Sequence, residues 1–194
     1  MNTQQEEHSE MRIKQELPLW FRLRNFLFGN KKPDVYTQVT FYLSITIWSI
    51  FFCWSTVSYF AIYFREIIYE QKKISVESII EARGEVLGFT SGEFLGKLLT
   101  YHSISIICWI SVFVGLVLLW RKNIKFVFFF FGGTLLYFGM ILFYLNFQYY
   151  KEDTTFFDKV IFLALNLNVL MYSFLLQKEK KGGNLSFFGE NPVD

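Results

Sequence analysis

Imidazole and thiol chemistry in this chain rests on His8, His102, Cys53 and Cys108. A structural zinc site alone asks for four Cys or His ligands at characteristic spacings, and these four residues are too few and too scattered to supply one. Cys53 and Cys108 both fall inside apolar stretches, where a free thiol behaves as a small hydrophobe; a membrane-buried disulfide is the lesser alternative. His8 lies in the amino-terminal tail and His102 at the edge of an apolar stretch, so neither is placed beside a nucleophile as a general base. Intramembrane hydrolysis would need a Ser/His, Asp/Asp or metal set, and none is legible. No catalytic residue, metal ligand or cofactor is assigned, no small-molecule substrate is evident, and enzyme activity is not expected.

The polar residues that remain inside apolar stretches are small and uncharged. At 100° per residue, Thr37, Thr40, Ser44, Ser55 and Ser58 fall within about 60° of arc on one helix face. Such a stripe either lets helices approach closely, its commoner meaning, or lines a narrow wetted path. Asn166 and Ser173 share one side of a later stretch, with Asn168 and Tyr172 on another. An asparagine at membrane depth is costly unless bonded, so each should find a partner helix or water. Ser111 with Gly115, and Gly132 with Gly133 and Gly139, offer faces for close helix packing. Because the asparagine-bearing stretch shows polar groups on two sides, a homo-oligomer is expected, with Asn166 or Asn168 near an intersubunit contact or conduit. The remaining pattern is an acidic ladder, Glu77, Glu81 and Glu85, whose like charges at i,i+4 spacing destabilise an isolated helix by a few tenths of a kcal/mol per pair: a solvated face is the plain reading, a cation-favouring vestibule that offsets them the sharper one.

The elements that carry these residues follow from composition. Of 194 residues 53% are apolar, 21% are aromatic and 25 are Phe, a load that argues against a soluble globular domain. Four stretches are nearly free of charge: Tyr36–Phe64, Ser103–Trp120, Phe126–Phe147 and Phe156–Gln177. Crossing a hydrocarbon core of ~30 Å takes about 20 helical residues, so each is read as a transmembrane helix, and the first is long enough to tilt or protrude. Strands are excluded because they would leave backbone groups unpaired in lipid, and the alternation of a barrel is missing. The fold class is all-α, polytopic, with domain limits 1–35, 36–177 and 178–194. No cleaved leader is expected, since residues 1–32 hold no continuous apolar core, and the first span reads as a retained anchor.

Basic residues orient the chain. Arg22, Arg24, Lys31, Lys32, Arg121, Lys122, Lys125, Lys178, Lys180 and Lys181 gather on one side, so both termini are expected in the cytoplasm and the protein in the inner membrane. The segment 66–101 is then extracytoplasmic and reads as two short amphipathic helices. Over Ser75–Leu87 one face carries Val76, Ile79, Ile80, Val86 and Leu87, and Thr90 with Glu93 has capping-box spacing for a second helix. Arg83, inside the apolar arc, is expected to snorkel. Leu17–Phe28 mixes aromatic and basic residues and reads as an interfacial helix, with Gly29 as its stop and Asp34 capping the first span. Acidic residues dilute the basic ones there, which weakens any nucleic-acid reading.

Ion transport is disfavoured, because relay groups at membrane depth and broken, repeated helices are both missing. The leading expectation is a small non-enzymatic membrane protein acting as subunit or regulator of a membrane assembly, with lipid and a protein partner or second copy around it. An oligomeric pore or membrane-perturbing effector is the alternative, lined by the hydroxyl stripe or the asparagines. Small four-span accessory proteins of bacterial immune systems are similar in size and topology, a likeness of architecture that no residue motif carries. A carrier or modifier of a lipophilic molecule, using space between aromatic spans, is the third.

Overall fold

The computed structural model describes residues 34–182 apart from Ser91, the side chains of 179–182 excepted, and before them Pro18, Arg22, Asn25, Leu27–Gly29, Lys32 and Pro33. Most of the expected interfacial helix and the tail 183–194 lie outside the described residues. Where the former is described, at Arg22, Asn25, Leu27 and Phe28, the backbone is helical. Gly29 follows in the left-handed region at φ +74°, its N–H donating to Asn25 O at 2.9 Å.

The unit from Asp34 onward is helical among the described residues: α1 (Val35–Tyr63), α2 (Arg65–Lys72), α3 (Val76–Val86), α4 (Glu93–Trp120), α5 (Phe126–Gly139), α6 (Phe147–Glu152) and α7 (Phe156–Gly182). Four segments are long and apolar enough to cross a membrane: α1, α4, α5 extended to Tyr144, and α7 over Phe156–Lys178. They match the four expected spans in number and order.

Three boundaries differ from the sequence reading for physical reasons. The second short amphipathic helix is not separate. Thr90 N–H and Oγ1 donate to Glu93 Oε2 at 3.3 and 2.7 Å, Gly92 leads into the helix at φ +77° with no side-chain cap, and no proline breaks it before the apolar run, so these turns become the start of a 28-residue α4. At about 42 Å, α4 exceeds the bilayer core by some two turns. The third span leaves α-geometry at Met140–Tyr144, a single wider π-turn closed by Leu145 N–H on Met140 O at 3.2 Å. It ends at Asn146, φ +77°, whose side chain caps α6 through Tyr149 N–H. Helix α2, unanticipated in sequence, follows α1 after a break at Phe64 alone and ends on Lys73 at φ 56°.

Two seams hold the bundle. Between α4 and α5, Ser111 Oγ donates to Phe129 O at 3.1 Å, and a Cβ at Gly115 would lie 2.8 Å from Phe130 N. On the facing side a Cβ at Gly133 would lie 2.7 Å from Cys108 O, whereas one at Gly132 or Gly139 would meet nothing within 4 Å. The close approach therefore uses Gly133, one residue along from the Gly132–Gly139 register. The α1 seam against α4 is aromatic: Phe51 stacks on Trp109 at 5.0 Å, and Trp48 Nε1 donates to Trp109 O at 2.7 Å. Trp109, Val112, Leu116, Leu119, Phe126 and Phe130 are fully buried, while Val35, Val39, Trp54 and Val57 of α1 stand exposed, as a lipid-facing surface would.

Candidate functional site

Helices α1 and α7 run antiparallel and are bonded along one half only. At the end near the first residues of α1, Asp34 caps the helix, accepting from Thr37 N–H at 2.9 Å and Thr37 Oγ1 at 2.7 Å, and its other contact is Lys122 Nζ at 2.7 Å. Burial pushes the Asp34 carboxyl up, but Lys122 and the Thr37 hydrogen bonds outweigh it and hold the group below the usual carboxylate range. One turn further, the Thr37 and Tyr172 hydroxyls share a hydrogen bond of 3.0 Å. Asn168 Nδ2 then donates to Ser44 Oγ at 3.1 Å and Thr40 O at 3.4 Å. Thr37, Thr40, Ser44 and Ser55 are buried, and Ser58 is half-buried. The hydroxyl stripe of α1 and the Asn168 amide thus meet each other within one chain, so Asn168 finds the partner helix expected of it, where the sequence reading puts Asn166 or Asn168 near a contact between subunits or a conduit. Asn166 bonds back to Phe162 O at 2.9 Å, and Ser173, also buried, to Leu170 O at 2.7 Å.

Toward the opposite end, Phe51 and Phe162 meet edge-on at 6.1 Å, and beyond them the helices part around a cavity of about 590 Å³. Its rim on α1 is Ile50, Cys53, Trp54 and Val57, all surface-exposed, so the cavity opens sideways from the bundle. Tyr101 and His102 of α4 and Tyr137 of α5 form the floor, and Tyr149, Asp153, Thr154, Thr155 and Asp158 close the far wall. A second cavity of about 490 Å³, on the other face of α7 beside Phe156, Val160 and Leu163, shares Phe51, Tyr137, Thr154 and Asp158 with the first. The first turns of α7 are therefore flanked by space on both sides.

The floor is aromatic and polar at once. Tyr101 and Tyr137 rings lie 6.0 Å apart, Tyr101 and Tyr149 6.3 Å, and Tyr137 packs on Trp109 at 4.9 Å. Burial pushes the Tyr149 hydroxyl well above the usual phenol range. His102 is 5% exposed, and its Nδ1 has no hydrogen-bond partner among the described residues. Reading the span as beginning at Ser103 put His102 at an edge; α4 begins at Glu93, so the ring sits in the third turn and is buried.

The wall is built by capping and by an ion pair. Thr155 N–H and Oγ1 donate to Asp158 Oδ2 at 3.1 and 2.7 Å, and Asp158 N–H returns to Thr155 Oγ1 at 3.1 Å, a reciprocal box that starts α7. Its T-x-x-D spacing was present in the sequence and passed unread. Arg83 of α3 reaches across to Asp153, Nε to Oδ1 at 2.7 Å, and to Glu152 at 3.4 Å. The hydrogen bond it donates to Asp153 holds the guanidinium above its ordinary range. This pairing inside the chain replaces the snorkelling expected of Arg83. The acidic ladder finds one basic neighbour, Arg65 Nε at 3.4 Å from Glu77 Oε2, while Glu85 is exposed and Glu81 half-buried. Among the described residues no group of three or more His, Cys, Asp or Glu side chains is arranged to hold a metal ion.

No family model matches the chain, and no curated protein or solved structure matches it either.

Proposed function

We propose that this chain is a non-enzymatic integral membrane protein that acts by binding, as a subunit or regulator of a membrane assembly, with the cavity between α1 and α7 as its binding element. The carrying observation is that cavity: it combines an apolar rim open to the side with a buried floor where His102 Nδ1 is left without a partner. A polar atom buried unsatisfied in a dry interior costs about 1–3 kcal/mol, and a bound group supplies the missing bond. Its surroundings suit binding better than turnover. Among the described residues no carboxylate is hydrogen-bonded to His102 to orient it, and the Asp153 carboxylate is occupied by Arg83. Both termini lie in the cytoplasm and the membrane is the bacterial inner membrane on this reading, supported by the basic residues flanking the spans.

The carrier reading draws on the same cavity, since a lipophilic molecule would enter sideways between α1 and α7. The pore reading draws less support, because the Thr37 and Ser44 hydroxyls and the Asn168 amide of its candidate lining bond one another or Tyr172 across the seam. Reconstitution into nanodiscs followed by native mass spectrometry is the test. A homo-oligomer, or a membrane partner isolated in fixed stoichiometry, is the expected result; a bare monomer from every native extraction overturns the assembly reading.

A further inference from the structure

We propose that the cavity between α1 and α7 binds a protonated primary amine carried on an apolar tail. The proposal rests on the reading of the cavity as the binding element and adds the chemistry of what enters it.

Charge selects the sign. Asp158 lines the cavity and has no ion pair among the described residues; its bonds are the capping ones from Thr155. The neighbouring Lys159 directs its ammonium to Lys151 O at 3.2 Å and over the Tyr150 ring at 4.7 Å instead. Asp153, the other carboxylate of the wall, is matched by Arg83. One carboxylate of the wall is thus left without a cationic partner among the described residues, which favours a cation there and disfavours carboxylate or phosphate groups.

Shape and donors then narrow the cation. Tyr101, Tyr137 and Tyr149 line the cavity, the latter two with ring centroids 6.0 and 6.3 Å from Tyr101, and supply aromatic rings of the kind that attract an ammonium. His102 adds a nitrogen: Nδ1 has no partner among the described residues, and in the tautomer protonated at Nε2 it accepts a hydrogen bond that a primary ammonium, with three N–H donors, supplies and a quaternary one cannot. Trp54 and Val57, 68% and 62% exposed on α1, give the tail an apolar exit to the side. A lipid headgroup and a free amphiphile both offer this chemistry.

The test uses the full chain in phosphatidylcholine nanodiscs, titrated with dodecylamine and followed by Trp fluorescence and native mass spectrometry. Saturable one-to-one binding is expected, about tenfold or more tighter than dodecanol or dodecyltrimethylammonium, with no binding of dodecanoate. Asp158→Asn, which keeps a capping acceptor, and His102→Phe should each weaken dodecylamine about tenfold. Equal affinity for dodecanol, or no loss in Asp158→Asn with the fold intact by circular dichroism, overturns the proposal; so does equal affinity for the quaternary compound. Including phosphatidylethanolamine in the disc separates the sources: competition identifies a lipid headgroup, undiminished dodecylamine binding a free amphiphile. Amine selectivity is read on the isolated chain, so its failure is distinct from a failure to find an assembly partner.

Discussion

The two halves of the α1–α7 pair use similar residues to opposite ends. In the half near Asp34, Thr37 bonds Tyr172 and Ser44 bonds Asn168 across the seam, and Asp34 pairs with Lys122 of the α4–α5 link. In the other half the helices diverge past Phe51 and Phe162, and the polar groups there, His102, Asp158 and three tyrosines, surround space. In lipid a helix gains little from hiding apolar surface against another helix, so contact is decided by close packing and by hydrogen bonds across the interface. Where the bonds are made the pair is shut; where they point into a cavity it stays open. The closed half is bonded across, and the open half is the one the proposed binding would use.

The largest expected effect removes the frame on which both halves are built. Gly133→Leu drives a side chain into the Cys108 carbonyl, which is backbone and cannot move aside cheaply. Overpacking of this kind should cost about 3 kcal/mol or more, seen as loss of the folded fraction in a denaturant titration in detergent. Gly132→Leu, where a Cβ meets nothing within 4 Å, is the matched control and should be near neutral. If the two behave alike, the register of the α4–α5 seam is wrong.

At the closed half, Asp34→Ala removes a helix cap and leaves Lys122 without its carboxylate, with an expected loss of about 1–2 kcal/mol. The Asp34 pKa in the fold is lower than in the unfolded chain, so its contribution is full above the unfolded carboxylate value of about 4 and is lost as pH falls through the folded value. Acid titration of unfolding should therefore show a slope below that pH that Asp34→Asn flattens. Asn168→Leu, further along the same seam, should cost about 1 kcal/mol, in the range of interhelical hydrogen bonds in membranes. A neutral result there would mean that packing alone closes the pair.

How much of this contrast was legible in the sequence depends on distance along the chain. Spans and their number are local properties of uncharged runs, and Asp34 with Thr37 is a local capping signal, so both could be read. The partners Tyr172 for Thr37 and Asn168 for Ser44 lie 135 and 124 residues away, and periodicity names the face of a helix without naming what meets it. That is why the stripe read as a packing face with no named partner, and why the choice between Asn166 and Asn168 for a contact between subunits stayed open. His102 was missed for a different reason: hydropathy marks where a run becomes apolar, not where a helix begins, and α4 starts ten residues before Ser103. The cavity itself has no sequence signature, being made by what four helices and a link fail to fill.

The smallest global effect, and the most local one, concerns the clamp over the open half. Arg83 ties α3 to Asp153, a residue of the cavity wall, through a pair that is partly exposed on both sides, with side-chain exposures of 39% and 19%. Exposed pairs contribute little to overall stability because water and salt screen them, so Arg83→Gln should leave the unfolding midpoint nearly unchanged. It should nonetheless loosen the wall. Cys53 sits exposed on the rim while Cys108 is buried, which makes thiol labelling a reporter at the rim through Cys53. A modest rise in the rate of Cys53 modification by N-ethylmaleimide is expected in Arg83→Gln, enhanced in the parent chain by raising salt and absent from the variant's salt response. Identical rates in parent and variant would show that the wall stands without the clamp and that α3 has no hold on the open half.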